Sequence, residues 1–181
     1  RKNFSINYFI DVGSHLGTYS DLILKYFKKS KIIMIEPQKE IFKKIKLKYK
    51  NNKKILILNH AISDKNVNRN LYINYHDLTS SLTKFNYNNN YLKIKSKIFN
   101  TTPHGMIKEK LIIKTIKMST LLSKENITNV DLIKIDTEGH ELEVLKGMGD
   151  KIKKIKNILI EFHNDKIFID YNPKKVHQYL L

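Results

Sequence analysis

Two apolar runs that end in aspartate carry the residues able to do chemistry. The first is Phe9-Ile10-Asp11-Val12-Gly13-Ser14-His15-Leu16-Gly17 and the second is Leu132-Ile133-Lys134-Ile135-Asp136-Thr137-Glu138-Gly139-His140-Glu141. Each reaches an acid, turns through glycine and continues with a helical pattern. In an open α/β sheet such turns sit at the carboxyl ends of strands, where ligands bind. At the first turn, Gly13, Ser14, His15 and Gly17 are expected to bring backbone close to a ligand and to offer N–H groups at a helix start. Asp11 would accept hydrogen bonds from a ligand amine or hydroxyl. Glu36 stands nineteen residues past Gly17, one strand-helix-strand step away, where an acid pairs with ribose hydroxyls in doubly wound folds.

The spacing selects among nucleotide cofactors. A dinucleotide site wants G-x-G-x-x-G, and Gly13-Ser14-His15-Leu16-Gly17 lacks the middle glycine. An acid just before the first glycine suits a ligand carrying a positive amino group. S-adenosylmethionine has that group and a ribose for Glu36. After the third strand, the backbone of Ala61 and Ile62 is expected beside the adenine.

The second turn concentrates acids. Glu141 and Glu143 read as helix-start residues that favour the positive end of the macrodipole, with Asp136 or Thr137 as the cap. Asp136 and Glu138 would instead face the cofactor. Gly139, if it lies inside the first helical turn, costs about 0.5–1 kcal/mol against Ala. Alternation along the next strand puts Glu161 and His163 on one face, and a histidine beside an acid is a credible general base near neutral pH. Methyl transfer to a hydroxyl needs such a base. A metal site from Asp136, Glu161 and His163 is the rival use of the same groups, and a hydrogen-bonded structural histidine is the alternative for His163; the expectation is a site without metal.

The elements that must position these groups follow from periodicity. Strands are expected over residues 7–12, 31–35, 55–59, 70–75, 111–118, 131–135 and 157–162. Helices are expected over 16–28, 38–50, 119–124 and 138–148, with a last one starting at Val176. Leu16, Tyr19, Ile23 and Phe27 form one helical stripe and Ile41, Ile45 and Tyr49 another. The opening β-α-β-α-β order predicts a mostly parallel sheet with helices on both faces. The polar stretch from Lys84 to Glu109 reads as a lid, substrate loop or insertion. The whole of residues 1–181 reads as one domain, without repeats.

The formal charge is +17, which invites a nucleic-acid reading. Only two of the 34 basic residues, Arg1 and Arg69, are arginine, the usual choice for bidentate phosphate or base contacts. A solvated lysine surface is favoured over a polyanionic partner. There is no cysteine, which excludes a disulfide framework and thiolate zinc. Arg1 opens directly onto a strand without a secretory pattern, and no apolar run approaches the roughly 18 residues of a membrane span. The expected location is cytoplasmic.

Asp11 to Tyr19 (D-V-G-x-x-x-G-x-Y) and Ile133 to Gly147 (I-K-I-D-x-E-G-x-E-x-x-V-L-x-G) together resemble the FkbM family of S-adenosylmethionine-dependent methyltransferases. Glu36-Pro37, Ala61-Ile62-Ser63-Asp64, Ser80-Ser81-Leu82 and Glu161-Phe162-His163 keep that family's pattern and order. His15 departs from it, standing where a small polar residue such as Asn is more usual. The resemblance implies a Rossmann-like class I methyltransferase fold of seven strands and O-methylation of hydroxyls on sugars, glycans or polyketide-derived molecules. The sequence stops soon after His163, so the last two strands are not expected here. RNA 2′-O-methylation and an inactive, donor-binding relative are the competing readings.

Overall fold

The computed structural model describes residues 5–75, 80–163 and 166–181; the reading at Arg1 lies outside them. Five strands pair in the order β3-β2-β1-β7-β8, all parallel. They are β1 (Tyr8–Val12), β2 (Lys31–Ile35), β3 (Ile55–Leu58), β7 (Leu132–Ile135) and β8 (Ile158–Ile160). Strand β1 is central, so both its faces need apolar cover, and its sequence supplies it in alternation. Ile10, Val12, Ile33, Ile35, Ile133 and Ile135 face one way. They pack on Leu121 and Leu122 of α4 (Met118–Lys124), on Val144 and Leu145 of α5 (Glu141–Lys146) and on Val176 of α6 (Pro173–Leu180). Phe9, Ile32 and Met34 face the other way, onto Ile23 of α1 (Thr18–Tyr26) and Ile45 of α2 (Lys39–Lys48). The result is an α/β sandwich with helices on both faces, the Rossmann-like arrangement expected from the sequence.

Chain order reverses between β1 and β7. From β1 the chain moves outward through β2 and β3, then returns to place β7 on the other side of β1. That is a topological switch point, and the crevice beyond the strand ends is the ligand position. Register fixes how close the two turns come: Val12 pairs with Ile135, and the amide of Asp136 donates to the Val12 carbonyl at 3.1 Å.

A smaller sheet, β4-β6-β5, roofs this crevice. Strand β4 (Ala61–Ile62) runs parallel to β6 (Ile107–Ile116), which pairs antiparallel with β5 (Asn68–Asn74). The stretch read as a loop or insertion, Lys84 to Glu109, instead carries helix α3 (Asn90–Ile98), a turn of 3-10 helix at His104–Met106 and the first residues of β6. Asn89 caps α3 by accepting from the Leu92 amide, and Leu92 drops into a cluster with Tyr72, Phe85, Met106 and Phe168. The stretch looked structureless because α3 buries only Leu92 and Ser96 and shows solvent lysines and isoleucines. The stripe on α1 is also narrower than expected. Leu16 and Tyr19 are more than 40% exposed, and Ser20 and Ile23 face the core instead. The second stripe holds: Ile41, Ile45 and Tyr49 are buried. Among the described residues no helix is long and apolar enough to cross a membrane.

Candidate active site

A cleft of about 220 Å³ opens over the carboxyl ends of β1 and β7. Gly13, Ser14 and His15 line it from the first turn, Glu36 to Gln38 from the end of β2, His60 to Ile62 from β4, and Lys134, Asp136, Thr137 and Glu138 from the second turn. Leu71, Ser80 and Leu82 close it from the small sheet. Most of the residues expected at the cofactor thus share one wall, and two of those expected to do chemistry share it with them.

The first turn is held together more tightly than its sequence suggests. The amides of Gly13 and Ser14 both donate to the Ile35 carbonyl, at 3.1 and 3.2 Å, so these N–H groups serve the turn and not a ligand. Gly13 has φ +76°, and a Cβ there would overlap the carbonyl oxygen of Asp136. Its glycine is required because the two turns touch. Gly17 (φ +82°) is likewise a packing glycine, pressed against Tyr49 and Met34, and it lies outside the cleft lining. His15 takes φ 44°, a left-handed conformation that His and Asn tolerate better than most residues, which accounts for the exchange at this position. Its amide donates to Glu36 Oε2 at 2.9 Å, while Glu36 Oε1 accepts from the Gln38 amide at 2.8 Å.

Asp11 does not line the cleft. It is fully buried and sits behind the cleft lining. Its Oδ2 accepts from Ser20 Oγ at 2.7 Å, and its Oδ1 lies 3.7 Å from Lys134 Nζ. Burial raises its pKa, against the pull of Lys134 and Ser20. It anchors α1 and Lys134.

Lys134 lines the cleft and is a buried charge that sequence reasoning passed over. It is 5% exposed. Its Nζ lies 2.9 Å from Asp136 Oδ2, donates to the Gly13 carbonyl at 3.3 Å, and stands 4.7 Å above the Tyr19 ring. Burial opposes its charge, but Asp11 and Asp136 outweigh that and its pKa is raised. The signal was a lone lysine between Ile133 and Ile135 in a strand buried on both faces; such a charge must be paired.

Helix α5 starts at Glu141, with His140 as its N-cap, so neither Asp136 nor Thr137 caps it. Gly139 precedes the helix with φ +85°, and a Cβ there would sit 2.5 Å from the Phe168 ring. The expected helix penalty is therefore not incurred; the glycine serves a left-handed turn against an aromatic ring. Glu141 is no surface dipole partner either. It is fully buried, and its Oε1 accepts from the Thr137 amide, the Thr137 hydroxyl and the Gly139 amide at 2.9–3.2 Å. Ser81 Oγ donates to the Glu138 carbonyl and Thr83 Oγ1 to that of Gly139, so the Ser80–Thr83 segment pins the turn from above. His140 points away from the cleft, 2.9 Å from Ser63 Oγ, with its pKa pushed down to about 4 by burial.

Glu161 and His163 come to Asp136 from the neighbouring strand end. The Glu161 amide donates to the Ile135 carbonyl at 3.0 Å, and Asp136, Glu161 and His163 offer donor atoms within 4.8 Å of one another. His163 rests edge-on against Phe168 and Tyr171, with Nε2 3.9 Å from Glu141 Oε1. Glu161 and His163 lie outside the cleft lining, beside Asp136. Burial, then the charges of Asp136, Glu161 and Glu141, push Glu138 up to about 8; burial and Asp136 raise Glu161.

The chain shares similarity with a curated protein, the hexuronic acid methyltransferase AglP of Haloferax volcanii. The two are 38% identical over 53 residues, which is 29% of this chain and 22% of that protein. The match therefore spans about a fifth of the relative's length. The FkbM methyltransferase domain model covers much more, residues 11–181, from the buried aspartate of β1 through α6. With the parallel sheet, the switch-point cleft and both motif turns in place, the chain belongs to the FkbM methyltransferase domain family.

Proposed function

We propose that the chain is an S-adenosylmethionine-dependent O-methyltransferase acting on a hydroxyl of a sugar or glycan. One observation carries the reading: the nucleotide-type turn with Glu36 and the acid-rich turn with Asp136 line the same cleft, with the Glu161/His163 pair beside Asp136. The cleft residues fit the donor. Ser14 is 5% exposed, and its Oγ, in the lining, has no hydrogen-bond partner; a buried hydroxyl left that way favours a polar ligand. Glu36 is fixed by two amides at the cleft wall, where a carboxylate can accept from ribose hydroxyls. His60, Ala61 and Ile62 supply the flat wall for adenine. When bound, the donor supplies a methyl group made electrophilic by a sulfonium.

The residues do the rest. Asp136 sets negative charge beside a cationic donor, Glu138, its pKa pushed up to about 8, helps orient the acceptor as a proton-bearing carboxyl, and the Glu161/His163 pair takes the acceptor's proton. Alignment of oxygen with methyl carbon supplies much of the rate. A sugar acceptor agrees with the name of the halophile relative. RNA 2′-O-methylation, suggested by the +17 charge, fits less well, because a phosphate chain would meet the acids at the mouth; filter binding with no salt slope removes it.

Calorimetry with S-adenosylmethionine, followed by transfer of labelled methyl to hexuronic-acid-containing oligosaccharides, tests the reading. Expected are donor binding and label on an ether oxygen. His163→Ala should keep donor binding and slow turnover by roughly 100-fold or more. No binding at millimolar donor overturns the cofactor. Binding without transfer to any sugar makes the chain a donor-binding module instead.

A further inference from the structure

The acid cluster at the second turn is short of positive charge. Asp136, Glu138, Glu141 and Glu161 converge there, in a protein of net charge +17. Lys134 is the cation paired with Asp136, and it is shared with Asp11. Three of the groups also have the spacing of ligands. Asp136 and Glu161 follow the paired strands β7 and β8, His163 lies two residues on, and one donor atom of each stands within 4.8 Å of the others. Donors bonded to one ion at about 2.0–2.2 Å stand roughly 3–4 Å apart, so modest side-chain rotations would close the set.

A second feature points the same way without depending on the acids' proximity. The His163 side chain is nine-tenths buried, and its Nε2 has no hydrogen-bond partner. Facing it at 3.9 Å is Glu141, fully buried, whose Oε1 is tied to the turn and whose Oε2 has no partner. Buried polar atoms without partners are rare and costly. A carboxylate set behind one nitrogen of a histidine, with the rest of the ring turned toward other ligands, is the arrangement that orients metal-bound imidazoles.

We propose that Asp136, Glu161 and His163 hold a divalent cation of the Mn²⁺ class, with Glu141 as the positioning residue for His163. Two carboxylates and one imidazole, without sulfur, suit a hard to borderline ion. Three protein ligands leave coordination positions open for an acceptor oxygen. This rests on the methyl-transfer reading and reassigns Glu161 and His163 within it, from proton acceptors to ion ligands. An acceptor hydroxyl bound to the ion loses its proton to solvent at the cleft mouth. The oxygen lone pair then forms the O–CH₃ bond, and the C–S bond pair stays on sulfur, which leaves as a neutral thioether. The ion also sets the acceptor against Asp136, at the edge of the donor cleft.

The test is titration of the full chain with Mn²⁺, followed by electron paramagnetic resonance and calorimetry. One saturable site is expected. Glu161→Gln and His163→Ala should each weaken it by more than 10-fold, and Glu141→Gln by about 10-fold, as second-layer partners do. Glu161 and His163 lie outside the donor cleft lining, so retained S-adenosylmethionine binding by both variants shows that they fold. No saturable binding at millimolar Mn²⁺, or wild-type binding by His163→Ala, overturns the site. Undiminished methyl transfer in excess chelator overturns its catalytic use while leaving the transferase reading intact. Mn²⁺ binding without donor binding does the reverse.

Discussion

The two turns that meet over β1 and β7 are built on opposite electrostatic plans. At the first, most backbone and carboxylate groups are tied within the protein, with Ser14 Oγ left toward the cleft: Asp11 holds Ser20, Glu36 holds two amides, and Ile35 accepts two more. At the second, like charges crowd. Glu138 is pushed up to about 8 and Glu161 is raised, each by burial first and then by Asp136, while Lys134 pairs Asp136. The contrast teaches a division of labour. A turn with its hydrogen bonds already made is a rigid cradle that costs little reorganisation on binding. A turn with unsatisfied charge is destabilised until something positive arrives, and perturbed carboxyls of this kind gather where chemistry is done.

The largest expected effect breaks the division by breaking the joint between the turns. Gly13→Ala needs φ +76° and drives a Cβ into the Asp136 carbonyl. Neither backbone has a rotamer with which to escape. The loss should exceed ~5 kcal/mol, the exceptional range for a violated special conformation, and the chain should fail to reach a native urea baseline. Gly149→Ala is the control, because its Cβ meets open space and only the positive-φ cost of ~1–2 kcal/mol applies. Equal outcomes would mean that the turns are not locked together.

Next in size is Lys134→Met, which keeps the volume and removes the shared cation. Asp11 would then be buried with only Ser20 for support. Leaving one partner of a buried pair uncompensated costs roughly 3–5 kcal/mol, read from urea unfolding at neutral pH. A loss below 1 kcal/mol would show that Lys134 serves the cleft and not the fold.

His140 sharpens the comparison from the far side of the second turn. Its pKa falls from 6.5 to about 4 on burial. The native state therefore binds fewer protons than the unfolded chain in that window. The stability it contributes is present above pH 6.5 and is lost as pH falls through about 4, on the order of 3 kcal/mol at about 1.4 kcal/mol per unit. Urea unfolding at several pH values checks this, and His140→Gln should flatten that limb. An unchanged slope in the variant would move the acid sensitivity to the carboxyl cluster.

These sites differ in how much of them could be read from the chain. The parallel sheet was legible because β1, β2 and β7 are buried on both faces and therefore mostly apolar, with Asp11 and Lys134 as the buried exceptions. The cleft wall was legible because Gly13 and Glu36 are tied to strand ends by backbone length alone. What escaped depends on neighbours distant in sequence. Asp11 looked like a ligand contact until Ser20 and Lys134 were seen to enclose it. Glu141 looked like a helix-start acid until Thr137 and Gly139 folded back onto it. Helix α3 was missed because most of its residues face solvent and its packing comes from Phe85, Met106 and Phe168, far along the chain or beyond a turn.

The smallest expected effect probes the cradle itself. Glu36→Gln keeps one oxygen for a backbone amide but turns an NH₂ toward the other, so one of the two bonds, to His15 or Gln38, is lost. A hydrogen bond to a charged group is worth about 1.5–3 kcal/mol, less what a rotated amide recovers. Donor affinity should fall roughly 10-fold, equivalent to ~1.4 kcal/mol, with kcat unchanged at saturating donor. That split follows from position under the proposed function: Glu36 follows β2, one strand beyond β1 from the Asp136 cluster, and would hold the donor equally before and during transfer. Uniform binding of this kind moves the Michaelis constant and not turnover. A fall in kcat matching or exceeding the fall in affinity would show that the first turn takes part in the chemical step, and the division between cradle and chemistry would have to be given up.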